Sequence, residues 1–237
     1  LDDYSELMLH LDLNGDERRE VSRFDYRKRG VEFFFIRQQV PMGQTKPLGT
    51  GDAVAAAEHF VGNDHFAVAF GDSIIRSPGG DPLLRRMVRS HQEHGSDCTI
   101  GAYEVAPERA RNYGILVPAE GEEKGADCRL QKIIEKPAPG QTSSRLAVSA
   151  RYLFSPRIFD KIRQVQPAPS GEIYLTDAIA ALIDEGRMVR AVRLDSDEKR
   201  HDIGNHQAYY ETFLDYALED PECGAELQAY LRRKLEI

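Results

Sequence analysis

Five short stretches of this sequence carry residue types that could do chemistry. In Pro47-Leu48-Gly49-Thr50-Gly51-Asp52-Ala53-Val54 two glycines stand just before a helix-forming run, where they allow a ligand to approach the backbone and could seat a planar base or a phosphate. No GK[ST] follows, so this is not a P-loop, and turn geometry alone is the plain alternative. Asp72 closes the apolar run Phe66 to Phe70, and a carboxylate at the C-terminal edge of a strand suits a hard cation that keeps most of its waters. Ser73 and Ile74 follow it, so no DxD pair is present. Glu135 and Lys136 stand side by side before Pro137 at the end of an apolar run; a bare exposed edge with a proline stop is the bland reading. Glu172, in Gly171-Glu172-Ile173-Tyr174-Leu175-Thr176-Asp177, opens a helical run whose dipole favours an acid there. His201-Asp202-Ile203-Gly204 sets a further carboxylate before a glycine turn. An HD metallohydrolase would need other histidines and acids at metal spacing, and the sequence has none that match.

The elements that must hold these residues read as alternating strands and helices. Leucines 7, 9, 11 and 13 among acids predict a solvated helix, leading into a buried strand over Val31 to Ile36. A Pro- and Gly-bearing loop follows, then a helix over DAVAAAEHFVG, and Phe66 to Phe70 reads as a buried strand. LLRRMVRSHQEHG predicts a helix stopped by Gly95, and CTIGAYEV the next strand. From Gly114 the strands shorten (ILVP, CRLQKIIEK, LAVSARYLF), which predicts an antiparallel excursion. Helices follow over Pro156 to Val165 and Ile173 to Glu185, then the strand MVRAVRL and C-terminal helices. The fold expected is α/β, a Rossmann-like, mainly parallel mixed sheet with an inserted antiparallel β portion and ligands at the strand C-termini.

Composition narrows the function. The 237 residues carry Lys+Arg 31 against Asp+Glu 39, a formal charge of -8, which argues against nucleic acid or an anionic membrane surface as partner. No apolar run approaches the roughly 18 residues needed to cross a bilayer. Three separated cysteines, Cys98, Cys128 and Cys223, suit a reducing compartment, so a cytoplasmic setting is expected. The amphipathic segment AELQAYLRRKLEI suits packing on a partner subunit, and a homo-oligomer is expected.

Taken in order, the Gln44 to Val54 stretch, Phe70-Gly71-Asp72, Asn112-Tyr113-Gly114-Ile115, Ile134-Glu135-Lys136-Pro137, Ser149-Ala150-Arg151-Tyr152, the Gly171 to Ile179 segment and Asp202-Ile203-Gly204 closely resemble the bacterial UTP:glucose-1-phosphate uridylyltransferases, a group within the sugar-1-phosphate nucleotidyltransferases. The resemblance implies synthesis of UDP-glucose and pyrophosphate from UTP and glucose 1-phosphate, with Mg²⁺ as cofactor and the antiparallel portion binding the sugar. It implies that Gln44 and Gly49 read the uracil edge, and that Asp72 and Asp202 hold Mg²⁺. It also implies that Gly114, Glu135, Lys136, Val148 and Glu172 contact glucose 1-phosphate, with Lys136 and Asp72 catalytic. On this basis the expected organisation is a single nucleotidyltransferase domain, with a nucleotide part over 31–112, a sugar-phosphate part over 113–204 and C-terminal helices over 205–237.

The sequence departs from the group at Asp52 (usually His), Tyr174 (usually Gln) and Ala150 (usually Gly), and the loop from Arg37 to Pro47 is longer than usual. The group's GxGTRxxPxTK phosphate loop has no counterpart in these residues, so a chain incomplete at its N-terminus is expected. Two other readings stay open: a relative that uses dTTP, and a noncatalytic homologue that binds a sugar nucleotide.

Overall fold

The structure, a computed structural model, describes residues 30–235. The chain divides into two compact units, Leu1–Arg37 and Gln38–Ile237. The helix expected around the N-terminal leucines lies outside the described residues. In the first unit, residues 31–36 form no strand, and Val31, Phe33, Phe34, Phe35 and Ile36 are exposed, Phe35 at 74%. The buried strand expected there is therefore corrected. An apolar run becomes a buried strand only where it joins a ladder, and neither described sheet includes these residues.

The second unit is a layered α/β structure. Its strands are β1 (Phe66–Ala69), β2 (Ser73–Arg76), β3 (Cys98–Glu104), β4 (Gly114–Pro118), β5 (Asp127–Glu135), β6 (Leu146–Phe154), β7 (Val189–Arg193) and β8 (Lys199–Asp202). The helices are α1 (Thr50–Ala55), α2 (Glu58–Val61), α3 (Leu83–Glu93), α4 (Arg157–Gln164), α5 (Leu175–Asp184), α6 (His206–Leu218) and α7 (Gly224–Leu235). Six strands form one mixed sheet in the order β1-β6-β3-β7-β5-β4, with β4 also touching β6. Strand β6 lies antiparallel between β1 and β3, β3 and β7 are parallel, and β5 runs antiparallel to β7 and β4. Strands β1, β3, β4 and β7 thus share one direction, which keeps the Rossmann-like polarity, while the long strands β5 and β6 run against it.

Both faces of this sheet are covered, as the two-residue period of its strands requires. Tyr152, Phe154, Ile100, Val189 and Ala191 enter the main core with Ile158, Phe159 and Ile162 of α4 and Leu175, Ile179 and Leu182 of α5. Leu153 and Val192 point the other way, onto Leu83 and Met87 of α3. Helix α3 ends where Gly95 adopts φ +56, as expected. Strand β1 is only half-buried, a correction to the buried strand expected there, because among the described residues it pairs with β6 on one side alone. The second sheet, β2 paired with β8, was not legible in the sequence: SIIR and KRHD are too short and too polar to stand out.

Candidate active site

The small sheet positions the two aspartates. Antiparallel pairing sets Ser73 opposite Asp202, so Asp72 ends up beside the end of β8. The Ile203 N–H donates to the Asp72 carbonyl at 2.8 Å, and the Gly204 N–H donates to Asp202 Oδ1 at 3.1 Å. A Cβ built on Gly204 would stand 3.2 Å from Asp202 Oδ1 and 3.4 Å from Asp72 Oδ2, so both carboxylates converge on this glycine. Arg200 Nη2 lies 3.3 Å from Asp202 Oδ2. Arg151, from the large sheet, donates to the Phe70 and Ser73 carbonyls and so clasps both sides of the turn that carries Asp72. Burial and the nearby Arg200 lower its pKa from the usual arginine value, and Asp72 opposes them. Two converging carboxylates form a hard oxygen donor set that fits a divalent cation completing its shell with water or phosphate oxygens. Among the described residues no group of three or more His, Cys, Asp or Glu gathers in a metal-holding arrangement.

A second cluster forms where β4, β5, β6 and α5 meet. A Cβ on Gly114 would stand 3.0 Å from Thr176 Cγ2, 3.2 Å from Glu135 Oε2 and 3.6 Å from Val148 Cγ1. The absence of a side chain at Gly114 is what leaves room between them. Thr176 Oγ1 donates to Glu135 Oε2 at 3.0 Å. Burial raises the Glu135 pKa from its ordinary value, with Thr176 and Lys136 pulling the other way. Lys136 takes a left-handed backbone, φ 44, as its N–H turns to the Tyr113 carbonyl. Its ammonium lies 3.8 Å from Glu135 Oε1 and 5.4 Å from the Tyr174 ring centroid. Tyr174 donates to Glu172 Oε2 at 2.8 Å, and Lys46 pairs with Glu172 Oε1 at 3.0 Å. These hydrogen bonds, Tyr174 first, hold the Glu172 carboxyl below its ordinary pKa.

The glycine loop is docked on the same cluster. Gly49 has φ +94 and its missing Cβ would sit 3.2 Å from Glu172 Cβ. Ile173 donates to the Leu48 carbonyl at 2.6 Å, and Gly51 donates to the Ile173 carbonyl at 2.8 Å. From Thr50 and Val54 an open, mainly apolar groove of about 680 Å³ follows β1 past Phe66 to Asp72.

Of the residues singled out in the sequence, Asp72 and Asp202 meet, as do Gly114, Glu135, Lys136 and Val148, and Gly49 lies against Glu172. Gln44 stands apart: it is exposed, in a turn closed by its own N–H to the Pro41 carbonyl at 3.0 Å. The amide that reaches Gly49 is that of Gln38, which donates to the Gly49 carbonyl at 2.9 Å and to Asp52 Oδ2 at 2.6 Å. Thr176, Arg151 and Arg200 were also missed. Thr176 lies within the helical run that Glu172 opens and Arg151 within the Ser149-Ala150-Arg151-Tyr152 stretch, though neither was given a role; nothing local marks Arg200.

Strand β6 joins the two clusters. Val148 faces the Glu135 pocket, Arg151 holds the Asp72 turn, and between them Ala150 takes φ 59 at a bulge where the β3–β6 register slips. Two steps on β3, Ile100 to Ala102, are matched by four on β6, Val148 to Tyr152, and the two extra residues re-aim the strand between the two sites.

A mixed α/β sheet whose paired acids and glutamate-lysine pocket lie beside a docked glycine loop has counterparts among known proteins. The chain belongs to the nucleotidyl transferase family, whose model matches residues 17–219. It is 33% identical over 229 residues to UTP–glucose-1-phosphate uridylyltransferase 2 of Streptococcus pyogenes serotype M3, covering 96% of this chain and 73% of that protein. It is 30% identical over 213 residues to UTP–glucose-1-phosphate uridylyltransferase of Staphylococcus epidermidis, covering 90% of this chain and 69% of that protein. A solved UDP-glucose pyrophosphorylase from Acinetobacter baumannii superposes with TM-score 0.81 at 28% identity, over 98% of this chain and 76% of that one. A UTP-bound UGPase from Acinetobacter baumannii gives 0.73 at 29%, over 94% and 74%.

Proposed function

We propose that this chain transfers the uridylyl group of UTP to glucose 1-phosphate, forming UDP-glucose and releasing pyrophosphate. The observation that carries the reading is the convergence of Asp72 and Asp202 at Gly204, with β6 linking that pair to the Gly114, Glu135 and Lys136 pocket. In this reading the sugar sits against Gly114 and Val148, and Glu135 and Glu172 accept hydrogen bonds from its hydroxyls. Lys136 neutralises the sugar phosphate and holds it for attack on the α-phosphorus of UTP. The bond formed joins a sugar-phosphate oxygen to that phosphorus, and the bond to the β-phosphate bridging oxygen breaks. The attacking phosphate is ionised at neutral pH, so no general base is needed, and the rate comes from alignment and charge neutralisation. Magnesium, held by Asp72 and Asp202, would supply positive charge against the phosphates. The Gly49 loop, with Gln38 and Gln44 nearby in sequence, receives the base, and the groove along β1 leads from it to Asp72.

The nucleotide part over 31–112, the sugar part over 113–204 and the helical end over 205–237 form our working division. A homo-oligomer is part of the proposal, because α6 carries Tyr209, Tyr210 and Phe213 exposed at 50–60%. Cytoplasmic residence fits three free cysteines, two of them buried. Among the described residues no helix is long and apolar enough to cross a membrane.

The test is pyrophosphate release from a panel of nucleoside triphosphates and sugar phosphates, run beside calorimetry with UDP-glucose. Release from UTP with glucose 1-phosphate supports the proposal. Release with dTTP alone reassigns the nucleotide, and tight UDP-glucose binding without any turnover makes the chain a binding module.

A further inference from the structure

Arg200 belongs to the small sheet, yet its guanidinium is buried against the large one. Its side chain is 10% exposed. Nη1 donates to the Tyr103 hydroxyl at 3.2 Å, and Nη1 and Nη2 lie 3.4 and 3.3 Å from Asp202 Oδ2. The guanidinium carbon stands 5.2 Å from the Tyr103 ring centroid and 5.8 Å from that of Tyr113, and the two rings meet edge to face at 6.0 Å. Tyr113 is the residue before Gly114, and its carbonyl accepts the Lys136 N–H. One side chain therefore runs from a cation-site carboxylate to the backbone that carries the sugar pocket. The Gly204 N–H holds Oδ1 of the same carboxylate while Arg200 steers Oδ2. Contacts of 3.3–3.4 Å are longer than close charge-assisted hydrogen bonds, so the carboxylate is oriented without being taken from a cation.

We infer that Arg200 is a positioning residue: through Asp202 on one side and the Tyr103–Tyr113 pair on the other, it fixes the distance between the cation-binding carboxylates and the Lys136 pocket. This rests on the proposed uridylyl transfer for its kinetic consequence, but its metal-binding consequence stands apart from the identity of nucleotide and sugar. A lysine cannot replace the fork, because a single ammonium does not span the carboxylate and the phenol while stacking on two rings.

The experiment compares the wild type with Arg200→Lys, Arg200→Met and Tyr103→Phe. Tyr103→Phe keeps the ring and removes only the hydroxyl, so it remains informative if a substitution of the buried arginine prevents folding. Mn²⁺ binding is followed by electron paramagnetic resonance, and pyrophosphate release is measured with Mg²⁺ and with Mn²⁺. Expected for both Arg200 variants is Mn²⁺ affinity weakened about 10-fold or more, with a smaller shift the same way for Tyr103→Phe. The kcat with Mg²⁺ falls about 10- to 100-fold while KM for both substrates moves less than about 3-fold. The Mn²⁺-to-Mg²⁺ rate ratio rises, because Mg²⁺ tolerates displaced ligands least. Mn²⁺ affinity unchanged or tightened in the variants, full rescue by lysine, or a wild type that binds no Mn²⁺ would each overturn the inference. A wild type that binds Mn²⁺ but releases no pyrophosphate from any substrate pair overturns the proposed reaction, while the binding comparison still decides the role of Arg200.

Discussion

Asp72 and Asp202 meet at Gly204 because Ser73 and Asp202 are cross-strand partners in a sheet of two short strands. A Cβ at residue 204 would crowd Asp202 Oδ1 at 3.2 Å and touch Asp72 Oδ2 at 3.4 Å, so the Asp202 carboxylate would have to give by a few tenths of an ångström. The Gly204→Ala variant should therefore spread them, its methyl lying 3.2 Å from Asp202 Oδ1. The expected result is a Mg²⁺ requirement raised about 10-fold in pyrophosphate release, with the fold unchanged by circular dichroism.

Lys136 is more than half exposed and leans on Tyr174 and Glu135 without being locked by either. Its ammonium is free to serve a ligand, so Lys136→Ala should cost little stability and lower kcat by about 10²- to 10³-fold. Urea unfolding and steady-state kinetics on the same preparation check both halves. Asp72→Asn, in contrast, should chiefly weaken the dependence on metal, read from a Mg²⁺ titration.

The pH profile should report Glu135. Burial raises its pKa, so the carboxylate that accepts hydrogen bonds from sugar hydroxyls is lost at a higher pH than an ordinary glutamate's, and kcat/KM for glucose 1-phosphate should fall on the acid side sooner. Thr176 stabilises the charged form through its hydrogen bond. Thr176→Val removes that donor and should move the acid limb further up in pH, whereas Glu135→Gln should abolish it.

Ala150 holds a left-handed backbone, φ 59, at the bulge of β6. Such a conformation costs an L-residue about 1–2 kcal/mol, against about 0.4–1 kcal/mol for the greater unfolded-chain freedom of glycine. Ala150→Gly should thus leave stability equal or higher by about 0.5 kcal/mol in urea unfolding. A β-branched residue is worse than alanine in this region, and Ala150→Val should lower the unfolding midpoint.

Acid should loosen the fold at α3. The pKa of His91 is pushed below 6.5 by burial and then by His65, whose Nδ1 is 2.7 Å away, with Asp97 opposing. A histidine with a depressed folded-state pKa binds fewer protons folded than unfolded below the ordinary value. Its stabilising contribution is whole above 6.5 and is lost as pH falls through that value toward the depressed one. Burial lowers the His201 pKa as well, adding a loss of the same sign. The drop in urea midpoint between about pH 7.5 and pH 5.5 should be smaller in His91→Gln than in the wild type.

Local patterns were enough to mark most elements of the second unit. The helices α3, α4 and α5 and the strands β3 to β7 follow from periodicity and from Gly and Pro punctuation, which act over a few residues. The chemical types at Asp72, Glu135, Lys136, Glu172 and Asp202 were visible for the same reason, since an acid or base closing an apolar run, opening a helical one or standing before a glycine turn is a local feature. What periodicity could not reveal is whatever depends on a distant partner. Residues 31–36 have a strand's composition but belong to neither described sheet, and among the described residues β1 is an edge flanked by β6 alone. The pairing of SIIR with KRHD decides that Asp72 and Asp202 meet. Gln38 reaches Gly49 where Gln44 does not. Arg151 and Arg200 act across sheets, through contacts that exist only after both sheets have formed. The residue types are written along the chain, but their convergence is a property of long-range pairing, whose register and neighbours no short window contains.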